Sequence, residues 1–420
     1  MGRSIHAVSD ATRTEECVVS SASVLISSAG EEVWETTGST QARPLRILTL
    51  TPFFPSAEEP SQGGFIAEPI AMMKSFGISN QVIAAQPFYR RARHAEGLAA
   101  TWQKYFSIPG NAGLPAAGTF LAACILPAVL KKHREKPFDV IHAHAPLPCG
   151  HAAELISRRL SIPFVVSVHG LDAFSTRQVG LIAGNWCKHV AERVYRSASA
   201  VICISEKVRE QVIAKTAANA TVIHNGVDVE KFFPASEPAV PLSLLSVGNL
   251  IAIKGHALLL RAFARVLKNV PKSCLEIIGD GPERTRLGLL TAKLGIADRV
   301  HFSGRQGRDY VARAMRRCAV FALPSSYEGL GCVYLEAMAC AKPVIGCRGQ
   351  GIEEVIGHGN SGMLVTPGNE QELTDAMMTL LRNKELRQQM GENALAIILD
   401  RLTLSHQTQQ LADVYRRCAR

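Results

Sequence analysis

Length, composition and charge limit what this chain can be. With 420 residues, of which 47% are apolar and 6% aromatic, the sequence is long enough for two domains with separate cores and is typical of an α/β protein. The formal net charge of +10 raises the question of a nucleic-acid partner. The chain has no basic strand interleaved with aromatic residues and no recognition-helix pattern, so we expect no nucleic-acid binding.

The cysteines and the amino-terminal segment argue against a disulfide-stabilised protein and against a secreted protein. Eleven cysteines are scattered without the spacing of metal ligands. Cys203, Cys274 and Cys340 fall inside apolar runs, which predicts buried thiols in a reducing compartment and no disulfide framework. No secretory signal opens the chain. Residues 1–43 are rich in Ser, Thr and Glu, and we expect a flexible extension without a catalytic role.

In the first half of the chain, apolar strands alternate with helices, which predicts a parallel sheet. Gly63 and Gly64 open the helix that follows the first strand. His142 and His144 end a later strand, and we expect them to pack or to hydrogen-bond because no third metal ligand is near. His169 directly follows a continuous apolar strand, so a neutral imidazole there can donate to a substrate hydroxyl or phosphate. A hydrogen-bonded structural histidine is the alternative. The predicted strands are residues 45–51, 81–85, 138–142, 164–168 and 200–204.

Much of the positive charge lies in residues 82–136, which contain eight Lys and Arg against two Asp and Glu. Within this region, residues 105–130 carry no charge and reach the length of a membrane span, but Pro109, Pro115 and Pro127 interrupt the run. Three interpretations stay open: a spanning segment, a buried helix, and a helix or loop that enters an anionic membrane surface.

A linker with three prolines, residues 232–241, predicts the start of a second domain. The next predicted strand, 242–247, is followed by Gly248 and Asn249, and Lys254 lies further on at the mouth of a helix. A lysine in that place suits a phosphate clamp, with a solvated loop lysine as the alternative.

The strongest signal for function lies where a short apolar strand leads through a Pro/Ser/Gly loop into an apolar helix, because open α/β sheets bind ligands there. Gly329 and Gly331 let the backbone approach a bound group, and the unpaired N–H groups of the helix favour an anion such as phosphate. Glu328 lies in the loop and Glu336 eight residues later. Both carboxylates can face one crevice and accept hydrogen bonds from hydroxyl groups. Two surface charges are the alternative interpretation.

Seven residues separate Glu328 from Glu336, within the frame Pro-Ser-x-x-Glu-Gly-x-Gly before and Glu-Ala-Met-Ala-Cys-x-Lys-Pro-Val-Ile after. This pattern resembles the signature of family 4 glycosyltransferases, retaining enzymes that use nucleotide sugars. The resemblance, which extends from about Arg46 to the C-terminal helices, implies an α/β fold with two facing Rossmann-like domains (GT-B) and an interdomain cleft. It implies an N-terminal acceptor domain and a C-terminal nucleotide-sugar domain, followed by a helix that crosses back to the first domain. The expected bounds are 44–234, 242–400 and 401–420.

The resemblance also implies roles for single residues. Many members have an Arg after the first Gly of the second domain, where this chain has Asn249, so Arg305 is the candidate for the missing cation. The family often has Gly-Gly-x-Pro-Glu in a later loop, from which Gln350 and Glu353 depart. The implied catalytic residues are Glu328, His169 and Lys254. The implied donor-binding residues are Gly63, Gly64, Asn249, Lys254, Arg305, Gly329, Leu330, Gly331 and Glu336.

The expected reaction needs no metal and no cofactor besides the nucleotide-sugar substrate, because no Asp-x-Asp sequence occurs in the chain. We expect a glycan or polyprenyl-linked acceptor at an anionic membrane surface, a cytoplasmic location at the inner face of the membrane, and a step of cell-surface polysaccharide assembly. A transferase for a soluble acceptor, a noncatalytic protein and an epimerase-like protein on the same fold are the alternatives. The presence of Glu328, Glu336, Lys254 and His169 argues against the noncatalytic protein.

Overall fold

The structure is a computed structural model. It describes residues 43–56, 63–90, 100–109, 113–170, 172, 181–236 and 239–420. The extension expected at residues 1–43 lies outside these ranges, apart from Arg43, and so do Arg91 and Arg93 of the basic region.

The first sheet has seven strands, and every neighbouring pair runs parallel. Their spatial order is β3-β2-β1-β4-β5-β6-β7. The central strands β4 and β5 are buried along their whole length, as expected for a parallel sheet covered on both faces. The strands are β1 (Leu45–Thr51), β2 (Ile78–Pro87), β3 (Ala100–Tyr105), β4 (Val140–His144), β5 (Phe164–Val168), β6 (Ala200–Cys203) and β7 (Ala220–Val222).

The described residues of this half of the chain form five α-helices. They are α1 (Gly64–Met72), α2 (Leu114–Glu135), α3 (His151–Leu160), α4 (Leu181–Ser197) and α5 (Glu206–Ile213). Ser205 caps α5 by accepting a hydrogen bond from the backbone N–H of Val208. Helix α2 is the one helix in the described ranges with the length and apolarity of a membrane span, and 39% of its most apolar 18 residues are buried in the protein.

The second sheet has six parallel strands in the order β10-β9-β8-β11-β12-β13. The strands are β8 (Ser243–Val247), β9 (Cys274–Ile278), β10 (Val300–Gly304), β11 (Val320–Ala322), β12 (Val344–Cys347) and β13 (Gly362–Val365). The helices are α6 (His256–Asn269), α7 (Arg284–Lys293), α8 (Arg308–Arg317), α9 (Cys332–Ala339), α10 (Glu370–Arg382), α11 (Lys384–Arg401) and α12 (Leu404–Cys418). The expectation of two Rossmann-like α/β domains is confirmed.

The last helix, α12, packs on the first sheet. Its Leu411 and Tyr415 share a buried cluster with Ile47 and Val165. The chain returns through a short parallel bridge in which the Val227 N–H donates to Leu402 O at 2.9 Å and the Leu404 N–H donates to Val227 O at 2.8 Å. The two domains are therefore connected twice.

Several local predictions are wrong. Strand β3 was not predicted, because its half-exposed residues lack an apolar run. Pro127 was expected to interrupt the uncharged run, but helix α2 continues through it. Cys274 is exposed at the start of β9, whereas Cys203 and Cys340 are buried as expected.

Candidate active site

A cavity of about 220 Å³ lies between the two domains. Strands β8 and β9 point their carboxyl ends at it, and α9 contributes its first turn, as ligand sites of open α/β sheets require. The first domain contributes Phe65, Glu68 and Gly226. The second contributes Val247, Gly248, Asn249, Ile278, Gly279, Asp280, Arg305, Gln306, Arg308, Val311, Cys332, Val333 and Glu336.

Helix α9 begins at the cavity, and its start requires glycine. Gly331 has φ +87, and a Cβ there would lie 2.6 Å from Cδ2 of Tyr334 and 2.9 Å from Cγ of Glu328. Cys332 and Val333, the first residues of α9, line the cavity. The positive end of the helix dipole is thus directed at the space where a ligand would lie.

Lys254 and Glu328 form an ion pair. Nζ of Lys254 donates to Oε2 of Glu328 at 2.6 Å, and the two side chains are 19% and 12% exposed. The backbone turn behind Lys254 packs on the loop of Glu328, because a Cβ at Gly255 would lie 2.1 Å from the carbonyl oxygen of Pro324. The sequence predicted a role for each side chain but not that they contact each other.

Glu336 is buried and bonds to an arginine that the sequence reasoning missed. Nη1 of Arg308 donates to Oε1 of Glu336 at 2.8 Å. The other side of the guanidinium faces Glu68 on α1 of the first domain, with Nε 2.8 Å from Oε1 and Nη2 donating to Oε2 at 3.1 Å. We call Glu68, Arg308 and Glu336 the carboxylate–arginine bridge. It crosses the cleft at the cavity wall.

Burial is the main influence on the pKa values of Glu336 and Glu68, the two acids in this bridge. It raises the pKa of Glu336, and the Arg308 guanidinium opposes that rise. Burial also raises the pKa of Glu68, again opposed by Arg308, while the Glu336 carboxylate adds to the rise. Both acids therefore depend on the same cation for their charged form.

Asn249 and Arg305 lie on the cavity wall as the sequence suggested. The backbone there is tightly packed, because a Cβ at Gly279, which has φ +144, would lie 2.0 Å from Gly248 O. Arg308 is the second cation on the same wall. Its position at the start of α8, where the helix dipole disfavours a cation, was the available sequence signal for a special role.

His169 directly follows β5, and its described side-chain contacts are with residues of the first domain. Its Nε2 shares a hydrogen bond with Nδ1 of His144 at 3.1 Å, and its ring centre lies 4.8 Å from that of Phe65. Burial lowers the pKa of His169 to about 3, so the ring is neutral at physiological pH. Its carbonyl oxygen faces the second domain, where a Cβ on Gly329 would lie 2.7 Å away.

The chain matches two family models. Residues 228–396 match glycosyl transferases group 1, and residues 77–231 match Glycosyltransferase Family 4. A relative, an uncharacterized glycosyltransferase of Methanocaldococcus jannaschii, is 31% identical over 255 residues, which cover 61% of this chain and 69% of the relative. The chain belongs to glycosyltransferase family 4.

Two further comparisons agree with this family. The putative teichuronic acid biosynthesis glycosyltransferase TuaC of Bacillus subtilis is 28% identical over 361 residues, covering 79% of this glycosyltransferase and 88% of TuaC. The solved structure of Anabaena HepE in complex with UDP-glucose superposes with a TM-score of 0.70 and 23% identity, covering 89% of this chain and all of that one, 100%. The GT-B fold is confirmed, and the protein is a hexosyltransferase.

Gly63, Gly64 and Leu330 of the glycosyltransferase were also expected at the site, and their surroundings near the cleft differ. Gly63 has φ +77 and precedes α1, and a Cβ there would lie 2.7 Å from Phe53 O. Gly64 faces the second domain, because its Cβ position is 3.6 Å from Nη1 of Arg308. Leu330 is buried in the hydrophobic core. The Leu330 side chain therefore packs in the protein and is not available to a ligand.

Within the described ranges, the glycosyltransferase has no group of three or more His, Cys, Asp or Glu side chains arranged to hold a metal ion. His142 and His144, which end β4, take part in hydrogen bonds. His142 bonds to Tyr415 of α12 at 2.6 Å and to Ser167 at 2.8 Å.

Proposed function

We propose that this glycosyltransferase transfers a hexose from a nucleoside diphosphate sugar to a polyprenyl-linked or other glycan acceptor, with retention of the anomeric configuration and without a metal ion. The supporting observation is that Glu336 and the first turn of α9 line the interdomain cavity. The Lys254–Glu328 pair adjoins this wall, because Cδ of Lys254 lies 3.9 Å from the Cβ position of Gly248. Hydroxyl-binding carboxylates thus stand beside a phosphate-binding helix start and a lysine, which is the chemistry of a nucleotide sugar.

The donor occupies the cavity in this proposal. Glu336 accepts hydrogen bonds from ribose hydroxyls, while the diphosphate lies against α9 and takes the Lys254 ammonium from Glu328. Asn249 and Arg305 add donors from the same wall. HepE, which shares the fold, was solved with UDP-glucose, and this supports a uridine diphosphate sugar as the first donor to test.

The chemical step breaks the bond between the anomeric carbon and the β-phosphate oxygen and forms a bond from the acceptor oxygen on the same face. The acceptor's proton passes to the departing phosphate, so no enzyme nucleophile is required. Lys254 and the N-terminus of α9 stabilise the charge that develops on the phosphate. Glu328, released from Lys254, and neutral His169 hold the hydroxyl groups of the transferred sugar.

The acceptor side of the proposal is supported by an exposed aromatic cluster on the first domain, consisting of Phe88, Tyr89, Phe106 and Phe120. Ring centres of Phe88 and Phe106 are 5.6 Å apart, and those of Phe106 and Phe120 are 5.2 Å apart. The three phenylalanines are 49%, 51% and 42% exposed. Exposed aromatic surface is unfavourable in water, and burial of that surface in a bilayer interface is stabilising.

One basic residue adjoins this surface. Arg90 directly follows Tyr89 of the cluster in the chain, whereas Lys132 and Arg134 lie in the last turn of α2, about 18 Å along the helix axis from Phe120. Cations near exposed aromatic residues favour anionic lipid. We therefore propose a cytoplasmic location, at the inner face of the membrane, and a lipid-linked acceptor in polysaccharide assembly. The similarity to TuaC, a putative teichuronic acid biosynthesis enzyme, supports that setting.

The testing experiment incubates the purified full chain with UDP-glucose, UDP-N-acetylglucosamine, UDP-galactose and GDP-mannose, each with and without polyprenyl-linked or free glycan acceptors. Product anomers are assigned by NMR, and each reaction is repeated in EDTA. We expect α-linked product from an α-linked donor, at an unchanged rate in EDTA. An inverted anomer or loss of activity in EDTA would refute the retaining or the metal-independent part, respectively.

The same assay separates the alternatives. Epimerisation of the nucleotide sugar without acceptor indicates an epimerase-like protein. Preference for free glycans over polyprenyl-linked glycans indicates a soluble acceptor. A chain that binds no nucleotide sugar is the noncatalytic case, and it refutes the proposal.

A further inference from the structure

The loop that follows β12 holds the backbone of Glu328 on both sides. The N–H of Glu328 donates to Oε1 of Gln350 at 3.0 Å. The carbonyl oxygen of Glu328 accepts from the N–H of Gly351 at 3.1 Å. The two loops are in direct contact, because a Cβ on Gly351 would lie 1.7 Å from the carbonyl oxygen of Gly329. The position of Glu328 therefore depends on where this loop lies.

The same loop is bonded to the first domain through Lys207 of α5. Nζ of Lys207 donates to Oε1 of Gln350 at 2.6 Å and to the carbonyl oxygen of Gly349 at 2.5 Å. The ammonium also lies 4.9 Å from the centre of the Tyr327 ring, next to Glu328 in the chain. One amide oxygen, that of buried Gln350, thus accepts from both domains.

The far end of the loop is attached to α5 as well. The carboxylate of Glu354 accepts from the backbone N–H of Glu206 at 2.8 Å and from that of Lys207 at 2.9 Å. A carboxylate at a helix N-terminus is stabilised by the helix dipole and by hydrogen bonds to N–H groups that lack partners in the helix. His224 lies 3.1 Å from the same carboxylate. The loop is therefore bonded to the first domain at residues 349–350 and again at residue 354.

We propose that Gln350 is a positioning residue that couples contact between the domains to the placement of Glu328. An amide oxygen has two lone pairs, and here Lys207 takes one and the Glu328 N–H takes the other. The ammonium fixes the orientation of the amide, because an NH2 group in place of the oxygen would face two donors. When the domains separate, Lys207 leaves, and the Gln350 amide that bonds to the Glu328 N–H is no longer held in this orientation. The inference rests on the proposed function only in giving Glu328 a role in transfer.

The test compares Lys207→Met, which removes the charge and keeps the apolar stem, with Gln350→Ala and Gln350→Glu. The first measurement is hydrogen exchange of the Glu328 amide by mass spectrometry, which needs no substrate. We expect exchange to be roughly tenfold faster in Lys207→Met and Gln350→Ala than in wild type. Gln350→Glu keeps an oxygen acceptor for both donors and restores slow exchange. Lys188→Met, an exposed lysine of the same domain, is the matched control and leaves exchange unchanged.

The second measurement is the transfer rate with the donor and acceptor found active for wild type. We expect kcat to fall roughly tenfold in Lys207→Met while KM for the donor stays within about twofold, because the pair positions Glu328 and does not contact the donor. Unchanged exchange at Glu328 in Lys207→Met would overturn the coupling. Faster exchange in a chain that transfers no sugar would leave the coupling intact and refute the proposed function instead.

Discussion

Arg308 offers a demanding test of how the cleft is stabilised, because one guanidinium pairs with buried Glu336 and half-buried Glu68, which belong to different domains. Replacing Arg308 with Met keeps most of the side-chain volume and removes the charge. Glu336 and Glu68 then stay at the cavity wall without their cation, at positions where Arg308 lies within 2.8 Å of each. We expect a large loss of stability that depends on pH.

The magnitude follows from two opposing effects. Removing one partner of a buried ion pair costs about 3–5 kcal/mol. The same change removes a cation from the first position of α8, where the helix dipole disfavours it, and this stabilises the fold by about 0.3–1 kcal/mol. The net loss is roughly 2–4.5 kcal/mol. At about 2–4 °C per kcal/mol for a domain of this size, the melting temperature falls by roughly 5–15 °C.

The pH dependence identifies the cause. Burial already raises the pKa of Glu336 and of Glu68, and without Arg308 both pKa values rise further. A carboxyl group whose pKa is raised in the folded state stabilises the fold below its unfolded pKa, and this stabilisation is lost as pH rises through the folded pKa. The deficit of Arg308→Met is therefore larger at pH 7.5 than at pH 5.

Thermal melts by circular dichroism at both pH values measure this effect. Arg313→Met, which removes an exposed arginine from the same helix, is the control and should shift the melting temperature little. Adding Glu68→Gln to Arg308→Met should recover part of the loss, because one of the two uncompensated charges is gone. A melting temperature for Arg308→Met within 2 °C of wild type, or no dependence on pH, would refute this account.

Three further predictions follow from the other contacts. Glu328→Gln and Lys254→Ala should each reduce transfer by about 10²-fold or more with unchanged circular dichroism, and near-normal kcat in Lys254→Ala would remove the role of the lysine. Burial lowers the pKa of His142 to about 3, so its stabilising contribution is present above about pH 6.5 and is lost as pH falls toward 3. Urea denaturation at several pH values between 6 and 4 gives the change in the free energy of unfolding per pH unit, which should be smaller in His142→Asn by up to about 1.4 kcal/mol per pH unit. The same pH dependence in wild type and His142→Asn would mean that His142 does not titrate. Changing Phe88 and Phe106 to Ser should abolish sedimentation with phosphatidylglycerol vesicles, whereas Ser at Leu289, an exposed residue of the second domain, should not.

Local sequence determined the elements and the main acids of the site. Continuous apolar runs predicted β4, β5 and β11 because parallel strands covered on both faces bury every side chain. The carboxyl ends of such strands meet at one edge of the sheet, where ligands bind. The sequence alone therefore indicated that Glu336 and Asn249 lie beside a cavity. The sequence indicated Gly331 as a place where the backbone can approach a ligand, and the structure adds that its neighbours leave no space for a Cβ.

Only the tertiary structure decided which charges meet. Lys254 and Glu328 are 74 residues apart in the chain, Lys207 and Gln350 are 143 apart, and Glu68 and Arg308 are 240 apart. No periodicity or turn signal relates residues at such separations, because their distance is set by how two independently formed sheets pack and by the return of α12 to the first domain. Residue types therefore indicated the chemistry of the cleft, and the packing of the domains selected the partners of each charge.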